Sequence, residues 1–205
     1  MAKYIDLSHD IIDGMPIYPG DGPVKLYQEK FLEGDEYNSF RLEIGMHAGT
    51  HIDTPMHLTN SKITIDKIAL DTFVGQGCLL DVRNEDIIKY KEEYLDKVSE
   101  NDIVLLYTNY DYKYGTEEYY TKHPVIAKEL ADFFIHKKIK MIGIDFPSPD
   151  RYPFEIHKKL FEHGILIIEN LTNLWKLLYV DKFEVIAFPL KIKAEASMVR
   201  VVAKI

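Results

Sequence analysis

Cysteine and tryptophan are almost absent from this sequence of 205 residues, which contains one of each. The single Cys78 excludes a disulfide within the chain, as is typical of a protein in a reducing compartment. It lies in the apolar run Cys78-Leu79-Leu80, so we interpret it as a small buried side chain and not as a nucleophile. Residues 1–10 lack the apolar core of a signal peptide. We therefore expect a cytoplasmic protein.

Long apolar runs and basic stripes are missing as well. No run approaches the ~20 apolar residues that a bilayer-spanning helix needs, so no membrane partner is expected. The 25 basic and 33 acidic residues give a formal net charge of −8, which argues against a nucleic-acid partner. Apolar residues make up 46% of the chain, as in ordinary folded proteins. The length predicts one domain over residues 1–205.

Hydrophobic spacing predicts a mixture of strands and helices without repeats or flexible linkers. Phe40–Ile44 alternates apolar and charged residues, which is typical of a half-buried strand. Pro124–Lys137 has helical spacing after a proline, and Ile156–His163 is predicted as a helix ended by Gly164. The charged segment Ile87–Lys97 is also predicted to be helical. These elements indicate an α/β fold whose strand order stays open. Further strands are predicted at Tyr4–Leu7, Gly77–Val82, Ile103–Tyr107, Met141–Ile144, Ile165–Ile168, Val185–Pro189 and Ser197–Val202, and a loop at residues 16–23.

The densest group of metal-binding residue types lies in residues 47–57, which hold three of the eight histidines and an aspartate. Imidazole and carboxylate together suit a divalent ion such as zinc or manganese. In an extended chain His47 and His51 would lie roughly 13 Å apart, too far to share an ion whose ligand bonds are ~2 Å long. The chain must therefore curl, and Gly49 allows dihedrals that other residues resist. Asp53 can share a face with His51, and a further turn can bring His57 back towards the ion.

Residues 47–57 read His47-Ala48-Gly49-Thr50-His51-Ile52-Asp53-Thr54-Pro55-Met56-His57. This segment resembles the HxGTHxDxPxH signature of the cyclase family, which includes bacterial kynurenine formamidases and isatin hydrolases. Two segments depart from the family pattern. Thr108-Asn109-Tyr110 stands where the formamidases commonly have Thr-Gly-Trp, and Ala194-Glu195-Ala196 replaces a Gly-Asp-Gly-like turn. Because loops shape pockets, both departures bear on the substrate. Further similar motifs cover nearly the whole chain: Tyr18-Pro19-Gly20-Asp21, residues 143–150, His157, Gly164, Glu169-Asn170-Leu171 and Pro189-Leu190.

The resemblance implies a swivelling β/β/α fold with a mixed sheet, and a homodimer or larger homo-oligomer. It implies one or two divalent ions, with an aspartate bridge in a two-ion site and His57 as the catalytic acid/base. Zinc is expected and manganese is the alternative, because histidine and carboxylate accept both. Without the resemblance, His157 would be interpreted as a solvated helix residue and Glu169 as the cap of a following helix. The alternative role for His57 is that of a second-sphere residue or a weak ligand. The implied ligands are His47, His51, Asp53, His157 and Glu169.

We expect this protein to hydrolyse a small amide, specifically an arylformamide such as N-formylkynurenine. Metal-activated water would attack the carbonyl while His57 moves protons, so no nucleophilic side chain is required. Alternatives are hydrolysis of a cyclic amide or lactone, as in isatin, and a non-catalytic protein of the same fold that binds a metal or a small molecule. Four aromatic residues could line an aryl pocket: Tyr18, Phe31, Tyr110 and Phe146.

Overall fold

Strands and helices alternate along the chain in the computed structural model, which describes residues 2–205. The helices are α1 (Leu32–Asp35), α2 (Tyr94–Lys97), α3 (Glu117–Thr121), α4 (Lys128–Lys137) and α5 (Glu155–Glu162). The strands are β1 (Tyr4–Asp6), β2 (Lys25–Lys30), β3 (Ser39–Glu43), β4 (His51–Asp53), β5 (Val74–Asp81), β6 (Ile87–Ile88), β7 (Ile103–Tyr107), β8 (Val125–Ile126), β9 (Met141–Ile144), β10 (Leu166–Glu169), β11 (Phe183–Ile186), β12 (Ala196–Met198) and β13 (Val202–Lys204).

Nine of these strands form one mixed sheet in the order β1-β13-β11-β5-β7-β9-β10-β4-β12. Its centre is parallel, from β5 through β7 and β9 to β10, and the flanking pairs are antiparallel. Every residue of β7 is buried, as expected for a central parallel strand covered on both faces. Val104 and Leu106 pack with residues of α4 and α5, whereas Ile103 and Leu105 pack with residues of β1, β11 and β13. The predicted α/β fold with a mixed sheet is confirmed.

The sheet curls so that its two ends come close together. β12 is an edge strand at one end, while β13 pairs with β1 at the other end. Only residues 199–201 separate these two strands, and so few residues span at most about 14 Å. The Val199 amide donates to the Thr50 carbonyl at 3.0 Å, and the Leu7 amide donates to the Val201 carbonyl at 2.9 Å. The predicted single strand Ser197–Val202 is therefore wrong, since the chain leaves one end of the sheet there and joins the other.

The predicted helix over Ile87–Lys97 is also wrong for most of its length. β6 forms a parallel pair with β8, and only the turn Tyr94–Lys97 is helical. The same pairing explains why α4 begins at Lys128 and not at the predicted Pro124. The Ala127 amide donates to the Ile88 carbonyl at 2.9 Å, so the segment before α4 is held extended. Pairing between distant segments overrides the local helical preference here.

β2 and β3 form a separate hairpin, in which Leu26 faces Leu42 and Gln28 faces Phe40. The strand predicted over Phe40–Ile44 is confirmed, but its half-buried character is wrong. Phe40 is 61% exposed and Leu42 is 42% exposed. These two exposed side chains give the hairpin an apolar surface.

The remaining predicted elements agree with the structure to within a few residues. The strand predicted over Val185–Pro189 ends earlier, at Ile186, and Pro189 forms only an isolated bridge with Val199. Gly164 follows α5 with a φ of 74°, as the predicted helix end requires. Within residues 2–205 the longest helices are too short and too polar to cross a membrane. The cytoplasmic location stays a prediction.

Candidate active site

The pairing of β4 with β10 brings three of the predicted site residues together. His51 and Asp53 are two residues apart on β4 and share a face, while Ile52 between them faces the apolar core. Glu169, the last residue of β10, lies directly opposite His51 in the antiparallel register. His51 Nε2 consequently lies 3.5 Å from Asp53 Oδ1 and 3.4 Å from Glu169 Oε2. All three side chains are buried.

His47 reaches the same place through the predicted curl of the chain. Gly49 adopts a φ of 63°, a conformation that side chains other than glycine rarely accept. This turn brings His47 Nδ1 to 2.9 Å from Asp53 Oδ1. The other ring nitrogen of His47 lies 3.3 Å from Glu195 Oε1. The turn at Gly49 thus brings His47 closer to the other site residues than an extended chain would allow, as the sequence spacing required.

His157 is the fifth residue of this cluster of site residues, which also contains His47, His51, Asp53 and Glu169, and it comes from a helix. It lies on α5, and its Nε2 is 3.2 Å from Glu169 Oε1. The opposite ring nitrogen, Nδ1, is hydrogen-bonded to the Asp150 carboxylate, whose second oxygen accepts from the Ile156 amide at 2.6 Å. Asp150 therefore holds both the beginning of α5 and the orientation of the imidazole, and it directs Nε2 towards the cluster.

The five side chains form two groups that share Asp53. One group is His47, His51 and Asp53, and the other is Asp53, His157 and Glu169; within each, one ligand atom per residue lies within 4.8 Å of the others. His51 Nε2 and Asp53 Oδ1 are buried atoms without a hydrogen-bond partner. Buried polar atoms rarely remain unpaired, and imidazole with carboxylate is the donor set of borderline divalent ions. The residues therefore fit one or two such ions.

His57 stands beside this cluster and belongs to neither group of three. Its amide donates to the Thr54 carbonyl at 2.9 Å, which closes the turn after β4. Its ring centroid lies 4.3 Å from that of His47 and 6.4 Å from that of His157. The side chain lines the same cavity as the cluster. His57 thus lines the cavity beside the cluster without belonging to either group of three.

Burial and charge act against each other on the pKa values of the cluster. Burial disfavours a charged imidazole, but the adjacent negative charge of Asp53 outweighs it and raises the pKa of His47 to about 9. Two neighbouring carboxylates likewise outweigh burial and raise the pKa of His157 to about 10. Burial favours neutral carboxyl groups, yet the imidazoles lower the pKa values of Asp53 and Glu169. For His57 burial dominates and lowers the pKa. The carboxylates thus stay charged, and a metal ion competes with protons for the imidazoles.

The cluster opens into a cavity of about 250 Å³. Of the four predicted aromatic residues, Tyr18 lines it and the other three do not. Phe31 precedes α1 and is exposed, Phe146 is fully buried, and Tyr110 stacks on Tyr119 inside the protein. Apolar spacing cannot distinguish a core aromatic residue from one that lines a cavity. The aromatic walls found in the structure come from Tyr18, Tyr114, Tyr120 and Phe154.

Sequence reasoning missed two acidic residues that contact the histidines of the cluster. The motif at residues 143–150 indicates no role for Asp150, although its carboxylate holds His157. In the sequence Glu195 is only part of a departure from the family pattern, yet its carboxylate lies 3.3 Å from His47 Nε2. Thr54 holds Glu195 near His47, because the amide and the hydroxyl of Thr54 both donate to the Glu195 carbonyl, at 3.0 and 2.7 Å. The sequence signal for Asp150 is its position shortly before His157. Glu195 offers no such signal, because it lies far along the chain from the motif at residues 47–57.

Known proteins resemble this chain over its whole length. A family model described as "Putative cyclase" matches residues 5–151. Kynurenine formamidase from Bacillus cereus is 31% identical over 211 aligned positions, which cover 99% of this chain and 98% of that protein. A solved structure described as a potential metal-dependent hydrolase with cyclase activity is 28% identical, with a TM-score of 0.80 and coverage of 100% and 98%. Isatin hydrolase A from Labrenzia aggregata, bound to benzyl benzoate, shares the fold at 22% identity, with a TM-score of 0.85 and coverage of 100% and 94%.

The fold and the site together define an α/β protein with a candidate divalent-metal centre at the floor of a cavity. The matching model and the full-length relatives specify the class further: the chain belongs to the cyclase family. The curled mixed sheet is consistent with the fold of that family.

Proposed function

We propose that this enzyme, a hydrolase of carbon–nitrogen bonds other than peptide bonds, cleaves the formamide bond of an arylformamide such as N-formylkynurenine with the help of zinc. One observation carries the proposal: two groups of ligand-type side chains share Asp53 on the floor of a cavity, and His57 stands beside them in neither group. A catalytic zinc site keeps an open position, whereas a structural one is closed by its protein ligands; ligand-type residues that border a cavity fit the catalytic kind. The formamidase relatives support the choice of bond.

In this proposal His47, His51, Asp53, His157 and Glu169 hold the ion or ions. A divalent ion, when bound, acts as a Lewis acid on the carbonyl oxygen and on water. His57 accepts the proton that the attacking water loses and returns a proton to the leaving aryl amine, so the products are formate and the free amine. The charges of Asp53 and Glu169 offset part of the charge of the ions and keep their imidazole partners oriented.

The aromatic residues that line the cavity favour an aryl substrate. The ring of Tyr120 meets that of Tyr18 edge to face at 5.8 Å, and Tyr114 lines the same cavity. Flat aromatic walls bind an aromatic ring by offset and edge contacts. A formamide group attached to such a ring could then extend to the cluster on the cavity floor.

The test is hydrolysis by zinc-loaded and manganese-loaded protein of a panel containing N-formylkynurenine, formanilide, isatin and an aryl lactone. We expect release of formate from the two formamides, with higher kcat/KM for N-formylkynurenine. Turnover of isatin or the lactone alone would replace the proposed substrate class with cyclic amides or esters. Failure on the entire panel by protein that binds metal would favour the non-catalytic alternative.

We also propose that the protein is a homodimer or a larger homo-oligomer. Support comes from the hairpin of β2 and β3, where Phe40 and Leu42 are exposed on one face, and from Phe31 and Leu32 nearby. Contiguous exposed apolar side chains are typical of protein–protein contacts. Light scattering at micromolar concentration should give at least twice the chain mass, and Phe40→Glu should shift it towards the monomer. A monomer in the unmodified protein would contradict the proposal.

A further inference from the structure

A carbonyl oxygen behind the candidate metal centre accepts two hydrogen bonds from side chains. The Gly49 carbonyl lies 2.9 Å from His51 Nδ1 and accepts from Asn170 Nδ2, also at 2.9 Å. A carbonyl oxygen can only accept, so His51 Nδ1 carries the proton. In the neutral imidazole Nε2 then has a free lone pair, and this is the nitrogen that faces the carboxylates of the cluster. The Gly49 carbonyl thus selects the tautomer of His51 that can bind an ion.

The orientation of Asn170 is fixed from two further sides. Because Nδ2 donates to Gly49, Oδ1 is the atom that accepts from the Tyr119 hydroxyl, at 2.8 Å. The backbone carbonyl of Asn170 accepts from the Thr50 hydroxyl at 2.6 Å. Burial raises the pKa of the Tyr119 phenol well above its ordinary value, so the hydroxyl keeps the proton that it donates. A series of hydrogen bonds with fixed direction therefore runs from the Tyr119 hydroxyl through the Asn170 side chain to the Gly49 carbonyl.

Tyr119 is itself held rigidly. It lies on α3, whose first turn is capped by the Thr116 hydroxyl accepting from the Tyr119 amide at 3.2 Å. The Tyr110 ring stacks on the Tyr119 ring at 5.8 Å, and Tyr114 meets it edge to face at 5.4 Å. The Tyr119 side chain is completely buried. Its hydroxyl is therefore a fixed point to which the chain of hydrogen bonds is anchored.

We propose that Tyr119 and Asn170 are positioning residues that fix the Gly49 carbonyl and, through it, the tautomer and orientation of His51 as a metal ligand. The inference rests on the proposed metal centre and extends it to two residues that would not touch the ion. Groups that orient a metal-binding imidazole from behind typically change metal affinity 10- to 100-fold when they are lost. Tyr119 and Asn170 act here through a backbone carbonyl, so their effect depends on each other.

The experiment compares Tyr119→Phe, Asn170→Ala, the double variant and the control Tyr110→Phe. Tyr110 has a similar ring in the same stack, but its hydroxyl donates to the Glu118 carbonyl at 3.0 Å and does not contact Asn170. Zinc affinity is measured by competition with a chromophoric chelator, the absorption spectrum of bound cobalt reports ligand geometry, and thermal unfolding checks the fold. We expect about tenfold weaker zinc binding in Tyr119→Phe, an altered cobalt spectrum, and no change in Tyr110→Phe.

The double variant separates positioning from general loss of packing. If Tyr119 acts through Asn170, Tyr119→Phe should weaken zinc binding no further once Asn170 is alanine. Unchanged affinity and cobalt spectrum in Tyr119→Phe, or equal weakening in Tyr110→Phe, would overturn this inference while leaving the metal centre in place. Absence of zinc binding by the unmodified protein would overturn the proposed function and the inference together.

Discussion

Replacing His57 with alanine is expected to lower kcat for N-formylkynurenine by roughly 10²–10⁴-fold, the usual effect of losing a general acid–base group. Bound metal should stay at the level of the unmodified protein, because His57 belongs to neither group of ligand-type residues. Its ring nevertheless lies beside that of His47 and lines the cavity, where a proton can pass between it and the substrate. Measurement of kcat together with metal content by mass spectrometry checks both halves of this expectation.

Two companion variants sharpen the result. His57→Gln keeps a hydrogen-bonding group of similar reach but cannot take up a proton, so it should be as slow as His57→Ala. His163→Gln removes an exposed histidine just after α5 and should leave kcat unchanged. Full activity in a His57→Ala protein that retains its metal would show that water loses its proton by another route, and the role assigned to His57 would be wrong.

The local part of the site could be predicted from the sequence because spacing along the chain determines it. His51 and Asp53 share a face on any strand, and the need to curl between His47 and His51 follows from the reach of an extended chain. The structure shows both features, including the positive φ of Gly49. The type of element at most apolar segments, such as β7 and β9, was predictable for the same reason.

Pairings between distant segments could not be predicted in this way. The register that sets Glu169 opposite His51 joins strands more than 110 residues apart, and nothing in either segment specifies its partner. The same limit explains the wrong helix over Ile87–Lys97, where a two-residue pairing with β8 decides the conformation. It also explains why the sequence indicates no role for Glu195 and Asp150, which contact histidines of the cluster. Their importance comes from three-dimensional contact and not from local pattern.

The largest effect is expected from Asp53→Asn, because Asp53 belongs to both groups of ligand-type residues. The amide keeps the shape of the carboxylate but lacks its charge, so it would be a weaker ligand in both groups. Groups behind a ligand already contribute 10- to 100-fold to metal affinity, so loss of the shared carboxylate should weaken zinc binding by more than about 100-fold. Activity should fall to the background of metal-free protein.

Metal removal provides the reference state for that variant. Dialysis of the unmodified protein against a chelator should abolish turnover, and added zinc should restore it, whereas the same addition should not restore Asp53→Asn. His47→Ala removes a ligand from one group only, so it should retain the ion held by Asp53, His157 and Glu169. Asp132→Asn removes a carboxylate that pairs with Lys159 on the surface and should change neither metal content nor rate. If Asp53→Asn bound zinc as tightly as the unmodified protein, the carboxylate would not be a shared ligand and the ion would have to be held by the histidines and Glu169 alone.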